Sequence, residues 1–325
     1  MPELPEVETI RQDLEKKILN TKIVQVVVYN KKSVGGDSNK FVRALKGHSF
    51  IKINRRGKLM IFRLDQGSTS LLVHLKMTGQ LIYERELKNK VDVVAGGHKL
   101  SVADIENLPN KHTRVAFVFA NGGQLFFNDL RIFGYMKLAS VETVENVLKK
   151  FGPEPLSPLP GGEVRAKSPD GASPLFGVRG RSQGETRMIS PVLTFDYFSN
   201  LFKKRQKTTV KAMLLNQELI AGLGNIYVDE VCWCAGIMPS RRVGTVTKAE
   251  QKKLFACIPK ILKEAIKHRG TTFRNFLDAS GRKGNYTDFL KVYDRDGKKC
   301  QRCGAIIKKI KTAGRGTHFC PKCQK

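Results

Sequence analysis

The stretch SFIKINRRGKLMIFRL, Ser49 to Leu64, reads as two strands joined by a turn at Gly57. Its apolar residues follow a period of two, the pattern of a pleated strand with one face on a core. The same period recurs in KIVQVVVYN (Lys22 to Asn30), SLLVHLKMTGQLIYE (Ser70 to Glu84) and RVAFVFANGGQLFFND (Arg114 to Asp129), with glycine-bearing turns at Gly79 and at Asn121 to Gly123. These segments predict a β-sandwich. Ahead of them Val7, Ile10, Leu14 and Ile18 recur at helical spacing, and Pro5 suits a first turn, where no backbone N–H is needed. Residues 85–112 are polar and lysine-rich and read as a long surface loop.

The second half is organised differently. FGPEPLSPLP, Phe151 to Pro160, marks a boundary, and residues 156–191 are crowded with Gly, Pro, Ser and Arg, so a flexible linker or disordered insertion is expected there. Helical segments follow near 195–206, 208–219, 224–235 and 247–268. Thr247 and Glu250 form a capping box for the last, and Pro259 is expected to kink or break it. The fold class is α+β: a helix plus β-sandwich over 1–151, a linker over 152–194, a helical domain over 195–290 and a ribbon over 291–325.

The chain of 325 residues carries 58 Lys+Arg against 29 Asp+Glu, a formal charge of +29. A phosphate-rich partner, nucleic acid, is the leading reading; a solvated basic surface and an anionic membrane are the alternatives. No apolar run approaches the ~20 residues that span a bilayer, and the charged N-terminal stretch does not suit a signal peptide, so an intracellular protein is expected. Seven cysteines argue for a metal site plus buried thiols over a disulfide framework. Cys300, Cys303, Cys320 and Cys323 form C-x2-C-x16-C-x2-C, the spacing of a four-thiolate zinc ribbon. From Lys298 to Lys325 every charged residue is basic, which suits a ribbon lying along a phosphate backbone. His318 reads as a surface or DNA-facing histidine, and Cys232, Cys234 and Cys257 as small core residues. In LNQELIAGLGNIYVDEVCWCAGI, Leu215 to Ile237, Gly222 and Gly224 separate two helical stretches, a turn that can aim helix N-terminal N–H groups at a phosphate or simply join packed helices.

The chain opens MPELPEVETI, with three glutamates and two prolines in its first eight residues. This string, followed in order by RRGKL, HLKMTGQL, NDLRIFG, GPEPL, GLGNIYVDE, RGTTFRNFLD and the four-cysteine ribbon, resembles the bacterial formamidopyrimidine-DNA glycosylases, which excise oxidised purines. The resemblance runs over nearly the whole chain and leaves out mainly the loop around 85–110 and the insertion around 156–191.

The resemblance implies roles residue by residue. With Met1 removed, the Pro2 amine would be the nucleophile at the sugar C1′, Glu3 the general acid/base and Glu6 a supporting carboxylate; Glu8 reads as a helix-dipole partner. Lys58 and His74 would hold phosphates flanking the lesion. Met77, Arg131 and Phe133 would enter the duplex where the damaged nucleotide is flipped out, although without the family Met77 and Phe133 would read as core. Asn225 and Arg315 would contact phosphates from the helix-two-turns-helix region and the ribbon, Lys58 and Arg315 completing the catalytic set. Arg274 would lie near the damaged base, and Ser280 to Tyr286 would cap it. The implied cofactor is one structural Zn2+, and the implied partner is damaged double-stranded DNA, gripped in a cleft between the domains by a monomer in the bacterial cytoplasm. An oxidised-pyrimidine glycosylase of the sister class and a catalytically silent damaged-DNA binder are the rivals. Because its composition cannot support a core, deleting about thirty residues within 156–191 should leave the cooperative unfolding midpoint and the excision rate on short duplexes unchanged.

Overall fold

The computed structural model describes residues 2–87, 90–96, 107–156, 191–271 and 286–325. They fall into two compact units, one of residues 1–150 with 262–290 and one of residues 151–261 with 291–325. Among them no helix is long and apolar enough to cross a membrane.

The first unit begins with helix α1 (Leu4–Ile18), whose Val7, Ile10, Leu14 and Ile18 are all buried. After β1 (Ile23–Val28) comes a short helix, α2 (Ser38–Leu45), started by the Asp37 carboxylate, which accepts the Asn39 N–H at 2.8 Å. Eight strands follow: β2 (Phe50–Arg56), β3 (Leu59–Leu64), β4 (Thr69–His74), β5 (Gly79–Leu87), β6 (Lys90–Gly96), β7 (Thr113–Phe119), β8 (Gln124–Asp129) and β9 (Tyr135–Ser140). They form two antiparallel sheets, β1-β7-β8-β5-β6 and β2-β3-β4-β9, and helix α3 (Val141–Leu148) closes this part. The apolar side of α1 joins the core between the sheets, where Phe50 packs edge-on against Phe62 and Phe117, ring centroids 5.2 and 6.2 Å apart. The sandwich predicted from the period of two is thus present. One correction concerns 85–112, read as a loop: β5 extends to Leu87 and pairs with β6, residues the polar composition had hidden.

In the second unit α4 (Phe195–Lys204) and α5 (Val210–Leu215) are capped by Thr194 and Thr209, α6 (Asn225–Ala235) starts after Gly224, and α7 (Lys248–Lys267) starts at the predicted box, where Glu250 accepts the Thr247 N–H at 2.8 Å. Only the first part of α7, to Ile261, belongs to this unit. The helix continues through Pro259, so the predicted break does not occur. A second correction concerns cysteine: Cys234 and Cys257, read as separate core thiols, form a disulfide joining α6 to α7, their Cα atoms 6.0 Å apart. Cys232 is a buried free thiol, as read, and burial pushes its pKa up. The C-terminal hairpin pairs β10 (Lys308–Thr312) with β11 (Arg315–Phe319) around Ala313 and Gly314, both at positive φ, the signature of a two-residue turn matched to strand twist.

The helices and hairpin of this unit meet at a buried ion pair. Lys211 of α5 and Asp229 of α6, both fully buried, lie 2.6 Å apart; the Lys211 ammonium also donates to the Gly316 carbonyl, and Asp229 accepts the His318 N–H at 2.8 Å. Removing one partner strands the other charge, so Lys211→Met should lower stability by about 3–5 kcal/mol in urea unfolding, and Lys211→Met/Asp229→Leu should recover part of the loss.

Candidate catalytic and nucleic-acid-binding site

The N-terminal cluster is built around one carboxylate. Glu6 is fully buried; one of its oxygens accepts the Glu3 N–H at 2.8 Å, and the other accepts the Thr271 N–H at 2.8 Å and the Thr271 hydroxyl at 3.1 Å. Gly270, at φ +78°, lets that chain pass: a Cβ there would sit 2.6 Å from the Glu6 oxygen. Arg269 holds Asp13 of α1 through both guanidinium nitrogens. Residues 269–271 are therefore fastened to α1 through Glu6 and Asp13, and Pro2 and Glu3 are buried. Glu8, read as a helix-dipole partner, is instead engaged by Arg11 and Arg55. Burial alone would raise its carboxyl; the two arginines hold it below the ordinary value.

Lys58 is buried in the β2–β3 turn, and its neighbour Leu59 pairs with His74 at the end of β4. Burial, then the charges of Lys76 and Lys58, drives the His74 pKa down to about 3. His74 is therefore a neutral imidazole near pH 7. Its Nδ1 accepts the Lys76 N–H at 3.0 Å, which leaves Nε2 to carry the proton as a donor.

Two neighbouring loops present the third group. Met77 sits in the β4–β5 turn, closed so tightly that a Cβ on Gly79 would lie 2.4 Å from the Leu75 carbonyl oxygen. Arg131 and Phe133 lie in the β8–β9 loop, the guanidinium 4.6 Å from the ring centroid. The core reading available without the family fails here: Met77 and Phe133 are 37 and 52 % exposed. A residue sequence reasoning missed joins the loops. Fully buried Asp129 accepts the Thr78 hydroxyl and the Arg131 N–H through one oxygen and the Gly134 N–H, at 2.7 Å, through the other. Its signal was an acid at the end of the strand QLFFND, inside NDLRIFG.

In the second unit Asn225, at the start of α6, donates to the Gly316 carbonyl at 3.0 Å, which puts it against the hairpin turn that carries exposed Arg315. Glu230 accepts three successive N–H groups, those of Lys291, Val292 and Tyr293, and so fixes the chain entering the ribbon. Cys300 and Cys323 lie 3.9 Å apart, Cys303 and Cys320 3.4 Å, and all four sulfurs fall within 4.8 Å of one another. Four thiolates ~2.3 Å from a tetrahedral zinc would be ~3.8 Å apart, so the donor set fits that ion. His318, read as exposed, is 4 % exposed and turned toward Asp229 and Asp296. Arg274 and nearly all of the loop from Ser280 to Tyr286 lie outside the described residues, as does most of the insertion.

Three family models match: the formamidopyrimidine-DNA glycosylase N-terminal domain over 1–136, the H2TH domain of the same enzyme over 188–276, and the zinc finger found in FPG and IleRS over 297–325. The chain is 36 % identical to the formamidopyrimidine-DNA glycosylase of Pelotomaculum thermopropionicum, covering 100 % of this chain and 99 % of that one, and 35 % identical to that of Desulfitobacterium hafniense, covering 100 % of both. Among solved structures it resembles the Lactococcus lactis enzyme in complexes with Fapy-dG-containing DNA and with abasic-site DNA, each with a TM-score of 0.76, 34 % identity and 100 % coverage of both chains. The chain belongs to the formamidopyrimidine-DNA glycosylase family.

Proposed function

We propose that this chain, a DNA glycosylase acting on oxidised purines such as 8-oxoguanine and formamidopyrimidines in damaged duplex DNA, works through a Schiff base on the Pro2 amine and then cleaves the strand by β,δ-elimination. The observation that carries the reading is the anchoring of Glu3 and the N-terminal peptide by the buried Glu6 carboxylate. An α-amino group has a pKa near 8, about two units below lysine, so part of it is neutral at physiological pH, and the positive end of α1 favours the neutral form further. The neutral amine attacks C1′, and the C1′–N bond breaks with its electron pair leaving on the base. The amine then loses its proton, and the sugar ring opens as the C1′–O4′ electron pair leaves on O4′, which takes up a proton, giving the iminium ion whose elimination cuts the strand. Glu3 serves as the acid/base for the protons moved at the sugar, and Glu6 positions it.

The other residues act on the duplex. Lys58 supplies charge to a backbone phosphate and His74 a neutral N–H, while Asn225 and Arg315 bind phosphates from the second unit. Met77 and Phe133 wedge into the stack and Arg131 bonds the orphaned base, held by loops that Asp129 fixes. Arg274 contacts the damaged nucleotide. One structural zinc, held by Cys300, Cys303, Cys320 and Cys323, fixes the ribbon carrying Arg315. The enzyme works in the bacterial cytoplasm, associated with the nucleoid through its DNA partner.

Borohydride added to processed protein on an 8-oxoguanine:cytosine duplex should trap a covalent adduct that mass analysis places on the Met-free N-terminal peptide. Protein that retains Met1 or an uncleavable tag should bind the same duplex and give no adduct. Glu3→Gln, which keeps the shape and loses the proton, should bind and fail to excise. Tight binding with no adduct from processed wild type would refute the Schiff-base mechanism. Lys58→Ala should separately lower the slope of log affinity against log salt by about one; an unchanged slope would remove Lys58 from the phosphate contacts.

A further inference from the structure

Just before the first ribbon knuckle the sequence reads YDRDGKKC, Tyr293 to Cys300, and Asp294 and Asp296 belong to neither the thiolate site nor the catalytic cluster. Both aspartates are exposed, and both meet His318 of β11: each of the three residues offers a ligand atom, and these atoms lie within 4.8 Å of one another. His318 is 4 % exposed, yet neither of its ring nitrogens makes a hydrogen bond. Nε2 lies 3.2 Å from an Asp296 carboxylate oxygen and Nδ1 3.5 Å from one of Asp229. The ring packs against the edge of Tyr293, centroids 4.9 Å apart, and the backbone N–H of His318 donates to Asp229.

A buried imidazole with Asp229 beside one nitrogen, exposed Asp296 beside the other and exposed Asp294 in the same cluster resembles a carboxylate–histidine–metal arrangement, in which a rear carboxylate orients the ring. From this geometry we propose that Asp294, Asp296 and His318 form a second divalent-cation site, separate from the thiolate site. Two carboxylate oxygens and one imidazole suit a hydrated first-row cation such as Mn2+ or Zn2+; they are too few for Ca2+, which takes six to eight oxygens, and they lack the sulfur that draws zinc to the ribbon. The site ties the segment entering the ribbon to β11 from the face opposite Asp229. It also replaces two negative charges with a net neutral centre next to a stretch in which every charged residue is basic, so occupancy should tighten duplex binding.

Mn2+ is the probe, because thiolate sites disfavour it. Added to the full chain with its ribbon zinc in place, Mn2+ should lose the free-ion EPR signal to the extent of about one ion per chain and should broaden the His318 ring resonances. Asp294→Asn/Asp296→Asn should abolish both effects while the ribbon zinc stays at about one per chain, and Asp296→Asn alone should weaken Mn2+ binding about tenfold or more. Should the double variant lose its ribbon zinc, the wild-type His318 broadening decides alone. A wild type that leaves the Mn2+ signal and the His318 resonances unchanged at millimolar Mn2+, or folded variants that bind Mn2+ as the wild type does, would overturn the proposal and leave His318 as an imidazole buried between aspartates.

Discussion

The proposed nucleophile, Pro2, has covalent support on one side only, and the bond network of Glu6 fixes the neighbouring Glu3. The Glu6 carboxylate is fully buried, a state that costs several kcal/mol unless the oxygens are satisfied, and both are: one by the Glu3 N–H, the other by Thr271. Position 271 lies 265 residues downstream, so the chain must fold back before its first turn is set. The Asp13–Arg269 pair and the absent side chain of Gly270 serve the same return. Glu3, Glu6 and Glu8 thus do different things despite adjacency: Glu8 meets arginines, Glu6 meets backbone, and Glu3 stands at the N-cap of α1.

Elsewhere too, a buried acid organises a segment that carries function. Asp129 fixes the loops of Met77 and Arg131, Asp229 seats the hairpin of Arg315 against α5 and α6, and Glu230 gathers three N–H groups where the chain enters the ribbon. A carboxylate suits this work because it offers about four lone-pair sites and donates nothing, so it can collect N–H groups that irregular backbone leaves over. Hydroxyl or amide side chains offer fewer acceptors and would leave some of those donors unpaired.

The sandwich, α1 and the ribbon were legible because each is a local pattern: a period of two, a period of 3.6, a thiolate spacing. What escaped was decided by contacts distant in sequence. The β6 strand is a sheet edge and lies inside a run, residues 85–112, whose overall composition is polar and lysine-rich. The disulfide depends on the fold bringing the end of α6 to the middle of α7, which no spacing of Cys234 and Cys257 announces. The burial of His318 goes with its backbone bond to Asp229, a residue 89 positions away, which the basic composition of the surrounding ribbon does not announce. Glu6 and Asp129 stood inside quoted motifs, yet their roles as collectors of backbone N–H groups became visible only with their partners.

The distribution of acids bears on recognition as much as on folding. Among the described residues Glu3, Glu6, Glu8, Asp13, Asp129, Glu154, Asp229 and Glu230 are buried, whereas Arg56, Lys58 and Lys211 are the buried cations. Folding therefore withdraws more negative than positive charge from the surface, and the exterior is more basic than the composition alone implies. That excess raises affinity for any polyphosphate and favours fast encounter over selectivity. In the proposed mechanism, discrimination comes from groups whose contribution is shape or directed hydrogen bonding: Met77, Phe133, the neutral His74 and the Pro2 amine. Glu3 next to Pro2, His74 and the loops of Met77 and Phe133 are held by buried or local bonds inside their own unit, which salt screens little.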